Sequence, residues 1–222
     1  MVNSEIVMRD TELRDAVERA LDYEPSIDAA DIGVAAENGV VTLTGHVATY
    51  AQKFAAERVV QGVNGVRGIA QEIEVRDGAA RQPADDEIAA RALNCIAWDV
   101  TVPDNKVQVK VQKGRVTLTG KVDWYYQRMA AEHAVRKLAG VLGVSNQIAV
   151  QPLVKPGDIK QRIESALKRS AEVEARGITV KVDEAKVILE GTARTWLERN
   201  AIERAAWSAP GVQSVDDRIS VV

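Results

Sequence analysis

The closest approach to a chemical motif is GRVTLTGK at residues 114–121. Two glycines and a lysine at about this spacing form phosphate-binding loops, in which backbone amides cradle phosphate and lysine neutralises its charge. Here five residues separate the glycines where such a loop has four, and Val122 stands where a magnesium-binding hydroxyl belongs. The pair Gly120-Lys121 also closes an alternating β pattern, so the motif reads as a strand end. GVNG (62–65) and GVLG (140–143) share the glycine spacing of an RNA-clamping loop. That loop joins two helices, whereas a strand pattern follows here. His46, His133 and the single Cys95 form neither a metal-ligand set nor a nucleophile–base pair. Asp85, Asp86 and Glu87 read as a solvated helix start, with no partner acid to make a hydrolytic pair. The reading assigns no catalytic residue, metal or cofactor.

One stretch has the chemistry of a surface-binding site. KVDWYYQR (121–128) sets Lys121 and Arg128 beside Trp124, Tyr125 and Tyr126. Amphipathic rings lie at headgroup depth in a membrane interface, and each cation near an anionic leaflet contributes ~1 kcal/mol. These five residues are the candidate site for lipid or a protein partner.

The elements that position them repeat. VTLTG at 41–45 recurs at 116–120, and VILEG at 187–191 is a third version. With Gly45, Gly120 and Gly191 as origins, Ile32, Val107 and Ile178 lie thirteen residues before, and Gly65, Gly140 and Gly211 twenty after. Val75, Val150 and Val221 lie thirty after, with no insertion in any copy. Such spacing marks internal duplication. Tyr50, Tyr125 and Trp196 are equivalent positions, which favours packing for Tyr125. Trp124 has Thr49 and Thr195 as counterparts and is the freer residue.

Each copy reads helix–strand–strand–helix–strand. The first helix shows apolar residues at three-to-four spacing: Leu13, Val17, Ala20 and Leu21; Ile88, Ala92, Leu93 and Ile96; Ile159, Ile163, Ala166 and Leu167. Asp10, Asp85 and Asp158 supply negative charge or caps at its start. A hairpin follows, with Asn38-Gly39 as its strongest turn signal and Lys113-Gly114 a weaker one. Glu184-Ala185 lacks the glycine, so the third turn should differ. Val41 and Leu43 face one side of the return strand, and Thr42 and Thr44 the other. Thr49 with Gln52, and Thr195 with Glu198, suit capping boxes for the second helix, with Asp123 as the cap in copy two. Its apolar face is expected at Ala55, Val59 and Val63; Ala130, Ala134 and Leu138; Ala201, Ala205 and Ala209. Gly65, Gly140 and Gly211 should end it. The crossover to the third strand should be right-handed, which favours parallel pairing. Gly45, Gly120 and Gly191 are expected where φ is positive or a neighbouring backbone comes close.

The fold class is therefore α+β: three tandem αββαβ modules at 8–76, 84–151 and 156–222, each a three-stranded mixed sheet with two helices on one face. Short linkers carry Gly78 and Pro83, and Pro152, Pro156 and Gly157. The runs GVVTLTGHV…AAERVVQGVNGVRGIAQEIEV and GRVTLTGKVDWYYQRMAAEHAVRKLAGVLGVSNQIAV resemble the BON domain, named for bacterial osmotic-stress and nodulation proteins. KVILEGTARTWLERNAIERAAWSAPGVQSVDDRISV resembles it less closely but keeps both glycines and the last strand. The resemblance implies two helices on a three-stranded sheet, non-enzymatic binding, and association with osmotic stress, the envelope and phospholipid surfaces. It transfers no functional residue beyond the glycines.

Net charge is −3 in 222 residues, so no global basic field points to nucleic acid. The charge is uneven: residues 10–76 carry six Lys/Arg against twelve Asp/Glu, 77–150 ten against eight, and 151–222 twelve against eleven. An anionic surface should prefer the second or third module. One cysteine excludes a disulfide within the chain. The sequence opens on Met1 with no charged-then-apolar leader, so a cytoplasmic location is expected, with the periplasm the alternative that the resemblance implies. The leading expectation is a non-enzymatic, stress-associated protein binding anionic phospholipid or a protein partner. The alternatives are a cytoplasmic cation or small-ligand sensor, and a structural module forming homo-oligomers through sheet edges.

Overall fold

The computed structural model describes residues 10–76, 83–151, 159–169 and 177–222. Asp158 and the linker residues Gly78, Pro152, Pro156 and Gly157 lie outside them. The first module runs α1 (Asp10–Asp22), a 3₁₀ turn (Ala29–Asp31), β1 (Ile32–Glu37), β2 (Val40–Val47), α2 (Tyr50–Gln61), β3 (Gly68–Gln71) and β4 (Glu74–Val75). The second runs α3 (Asp85–Trp98), β5 (Val107–Gln112), β6 (Arg115–Val122), α4 (Tyr125–Arg136) and β7 (Gly143–Val150). The third runs α5 (Ile159–Arg169), β8 (Thr179–Asp183), β9 (Lys186–Ala193), α6 (Trp196–Trp207) and β10 (Ser214–Val221). In each sheet the hairpin strands pair antiparallel and the last strand pairs parallel to the central one. In the first module that last strand is in two pieces, β3 and β4, which keep one register along β2.

Both helices of a module cover the same sheet face. Leu13, Val17 and Leu21 of α1 and Ala56 and Val60 of α2 meet Val41, Leu43 and Val47 of β2 in one buried cluster. The second and third modules have corresponding clusters of their own. On the opposite face of the third sheet, where threonines are replaced, Lys181 and Arg218 pair with Glu190, and Lys186 and Arg218 with Asp216.

Several local expectations are corrected. Leu93 does not join the buried stripe of α3; it is 48% exposed. In the second helices the deepest residues are Ala56 and Val60, Ala131 and Val135, and Ile202 and Ala206. This stripe lies one residue beyond the expected one in all three copies, although Ala201 and Ala209 of the third are buried as well. Ala55-Ala56 and Val59-Val60 are apolar pairs, so periodicity alone leaves that rotation open. Nor do Gly65, Gly140 and Gly211 cap these helices. The caps are Gly62, Lys137 and Ser208, all right-handed. The glycines come third in a following four-residue turn, closed by Val66, Val141 and Val212 donating to Val63, Leu138 and Ala209 at 3.3–3.4 Å. Their φ of 83–95° is what that turn position demands.

The strand-end glycines answer to both physical reasons at once. Gly45, Gly120 and Gly191 have φ of 104°, 135° and 145°, and a Cβ there would collide with the carbonyl oxygen of Asp31, Lys106 and Gly177. The hairpin turns divide as the residue types require. Asn38-Gly39 and Lys113-Gly114 both take positive φ throughout, while in the third turn only Glu184 does. Asp85 ties the start of α3 to its hairpin by accepting from Lys113 N–H (2.7 Å) and Gly114 N–H (2.8 Å). Asp10 accepts from Gly39 N–H (3.3 Å) in the same way.

Gly120→Ala should destabilise the chain by ~1–3 kcal/mol or more, read from urea unfolding, because strain and collision coincide there. The amides of Gly114 and Lys113 hold the Asp85 carboxyl below the usual carboxylate range. Its stabilising effect should be complete above about pH 4 and fade as pH falls through the depressed value. Asp85→Asn should remove that part of the acid-side slope.

Candidate functional site

The second helix of each module carries a stripe at the margin of its own core; of its residues only Tyr125 and Trp207 also pack against that core. In α2 it is Tyr50, Phe54, Glu57 and Gln61; in α4, Tyr125, Met129, Glu132 and Arg136; in α6, Trp196, Asn200, Glu203 and Trp207. Spacings of four, three and four put these on one helical face. Within each helix the glutamate accepts from the last residue of the stripe: from Gln61 Nε2 at 3.3 Å, from Arg136 Nη2, and from Trp207 Nε1 at 3.2 Å.

That last residue receives the neighbouring module. The Arg136 guanidinium lies over the Phe54 ring, 3.4 Å from its centroid. Tyr125 stacks on Trp207 with centroids 4.8 Å apart and planes 9° apart. Asn200 Nδ2 donates to Gln61 Oε1 at 3.0 Å. Contacts thus run from the first module to the second, the second to the third, and the third back to the first. Tyr50 packs against the second core, Trp196 against the first, and Trp207 against the second as well as its own. The ring of modules is closed.

A second repeated constellation fixes each helix to its last strand. Arg128 Nη2 donates to Asn146 O (3.2 Å), Arg199 Nε to Asp217 Oδ2 (2.7 Å), and Lys53 Nζ to Ile73 O (2.6 Å). Side-chain oxygens of Gln71, Asn146 and Asp217 accept from the amides of Ile73, Ile148 and Ile219. Arg128 and Arg199 also lie over the rings of Tyr125 and Trp196, 5.9 and 4.9 Å from the centroids.

The aromatic–basic stretch is therefore divided. Tyr125 and Arg128 turn toward the joint and the last strand. Burial, then the Glu203 carboxylate across the joint, pushes the Tyr125 phenol above its ordinary range. Lys121 is exposed, Trp124 half-buried and Tyr126 56% exposed. The Trp124 and Tyr126 rings stack with centroids 6.5 Å apart. Asp123 is not the cap of α4: the N-cap position falls on Trp124, and Gln127 Oε1 accepts from both the Asp123 and Trp124 amides at 3.0 Å. Thr49 caps α2 as expected, with Gln52 completing the box, and Thr195 accepts from Glu198 N–H.

A family model described as the BON domain matches residues 9–77, 84–152 and 157–222. The chain belongs to the BON domain family. It is similar to the osmotically-inducible protein Y of Escherichia coli (strain K12), 34% identical over 145 residues, which cover 64% of this chain and 72% of that protein. Among solved structures it matches CdsD, a structural protein of the Type III secretion system of Chlamydia trachomatis, at 12% identity over 95% of this chain and 92% of that one, TM-score 0.26. The C-terminal domain of CdsD matches at 11% identity over the full length of both chains, again with TM-score 0.26. At that score the likeness carries nothing about this fold.

Sequence reading passed over two features of the BON modules. The glutamate shared by the three second helices was a visible signal: Glu57, Glu132 and Glu203 are one residue type at one repeat position on a helix otherwise lined with alanine and valine. The other is the exposure of three apolar side chains of the second module, Leu93, Trp98 (85% exposed) and Val100 (99%). Among the described residues no helix is long and apolar enough to cross a membrane, and no three His, Cys, Asp or Glu side chains converge. His46 sits 3.5 Å from Asp31, His133 is exposed and Cys95 is half-buried.

Tyr125→Ala should loosen the joint between the second and third BON modules. Loss of the ring stack alone is worth ~0.5–1.5 kcal/mol beyond burial, so calorimetry should show an earlier, broader unfolding transition. Tyr126→Ala, one residue on, should shift stability by no more than ~0.5 kcal/mol.

Proposed function

We propose that this chain is a non-enzymatic, stress-associated binding protein that docks peripherally on anionic phospholipid through its second BON module. The observation that carries this reading is the outward edge formed by Lys121, Trp124 and Tyr126. At the start of the second helix, modules one and three place a capping threonine, whose hydroxyl accepts an end amide. The second module places Trp124 there instead. Replacing a threonine cap costs helix stability by ~0.5–2 kcal/mol. A local rule broken in this way is expected at a functional position. The gain is a stacked pair of amphipathic rings next to an exposed lysine, the side-chain chemistry of a headgroup layer.

The distribution of charge supports the choice of module. The first carries net −6 over residues 10–76, the second net +2 over 77–150. The stress association comes from similarity to a protein named as osmotically inducible. Arg128 drops out of the binding set because its guanidinium is engaged with Asn146 and Tyr125. Tyr125 belongs to the joint. Fractionation decides the compartment: release by osmotic shock would place the protein in the periplasm, and release only on cell lysis in the cytoplasm.

Co-sedimentation with phosphatidylglycerol-containing vesicles at low salt tests the reading. Binding should weaken as salt rises, since exposed charges are screened beyond about 10 Å at 0.1 M. Lys121→Ala should lose ~1 kcal/mol, about fivefold in affinity. Trp124→Ala with Tyr126→Ala should lose more. Absence of binding to anionic vesicles would sink the proposal. A loss confined to Trp98→Ala would move the site to that exposed ring.

A further inference from the structure

We propose that the joints between modules form an exchangeable docking surface, and that the partner it fits is a second copy of this chain, whose third module takes the place of the first chain's own. This stands apart from lipid binding and needs none of Lys121, Trp124 or Tyr126.

Three observations carry it. First, the buried residues of each core cluster come from a single module; only partly buried rings reach across. A module that leaves the ring keeps its core and gives up only its joints. Second, the joints are side-chain contacts of mixed polar and aromatic kind: a cation over a ring, a stacked pair, and a neutral amide pair. The Trp196 indole nitrogen is buried with no hydrogen-bond partner. Surfaces of this composition resemble those of transient complexes. Third, the contacts are directional. Each module offers its upper stripe to one neighbour and its last stripe residue to the other, and three such steps close the ring. A head-to-tail interface that closes within one chain also closes when one module comes from another chain, with every contact preserved.

Displacing the third module uncovers Gln61 of the first and Tyr125 of the second. The surface that satisfies both has an amide at Asn200 and a flat ring at Trp207, in the spacing of α6. The third module of a second copy has all of it. Tethering favours the chain's own module, since a short linker gives an effective concentration of about millimolar. Exchange therefore becomes visible at high protein concentration or after mild warming.

Two full-length variants test this, both carrying Cys95→Ser, one with Gln61→Cys and the other with Asn200→Cys. They are mixed at high concentration, warmed below the unfolding transition, cooled and treated with a short bismaleimide. Expected is an interchain product between the two variants, rising at least about tenfold as protein goes from dilute to near the effective concentration of the tether. The doubly substituted single chain should cross-link within itself when dilute. Self-linking of that chain with no interchain product at any concentration would overturn the proposal. Wild-type protein taken through the same cycle should show a dimer by light scattering, with CD unchanged; a strictly monomeric mass would overturn it equally.

Discussion

The second helix of each module is buried on two sides, and the rest of the architecture follows from that constraint. One side must lie close to its own sheet, which explains Ala56, Ala131 and Ala206, all fully buried. The other must meet a different module, so it cannot be a simple solvated face. A helix asked to do both would tend to become apolar all round and lose its orientation. Glu57, Glu132 and Glu203 prevent this. Each orients a side chain that reaches the neighbour, and each marks the joint side as distinct from the core side. The three glutamates are half-buried and hydrogen-bonded, the condition under which such groups specify an arrangement without a large desolvation cost.

The strand-end glycine sets this helix in place. Where the hairpin returns beside Asp31, Lys106 or Gly177, the chain must pass a carbonyl oxygen too near for any side chain. The backbone then enters the helix within five residues, so an error at the glycine would be passed to the helix and on to two joints. This explains why VTLTG is the most visible repeat in the sequence: it fixes the angle at which the contact residues are presented.

How much could be read beforehand depended on whether a signal was local. Turn chemistry at Asn38-Gly39, the cap at Thr49, the alternation of Val41 and Leu43, and the three-module α+β fold rest on near neighbours and were legible. The rotation of α2 was not, because paired apolar residues satisfy two faces equally. The helix ends were misplaced because a glycine in a following turn looks like a glycine at a cap. Tyr125 could be suspected of packing, since its counterparts are aromatic in all three copies. Its partner Trp207 could not be found, because Gln61 and Arg136 occupy the same position and share no chemistry with an indole. Contacts between modules leave no period in the sequence; they show only as one repeat position varying in step with another.

That variation has a physical consequence. The three joints run in the same direction and differ in chemistry: phenyl to guanidinium, phenol to indole, amide to amide. Moving a module to another place in the ring would set Asn200 against Arg136, or Phe54 against Trp207, and leave the guanidinium without its ring or an amide without its partner. An unpaired buried donor costs ~1–3 kcal/mol, enough to favour one order of modules strongly over the others. Three copies of one domain, which by ancestry could have docked interchangeably, are thereby given fixed places. The specificity is carried by the four positions of a single helical stripe, while the fold beneath them is left almost unchanged from copy to copy.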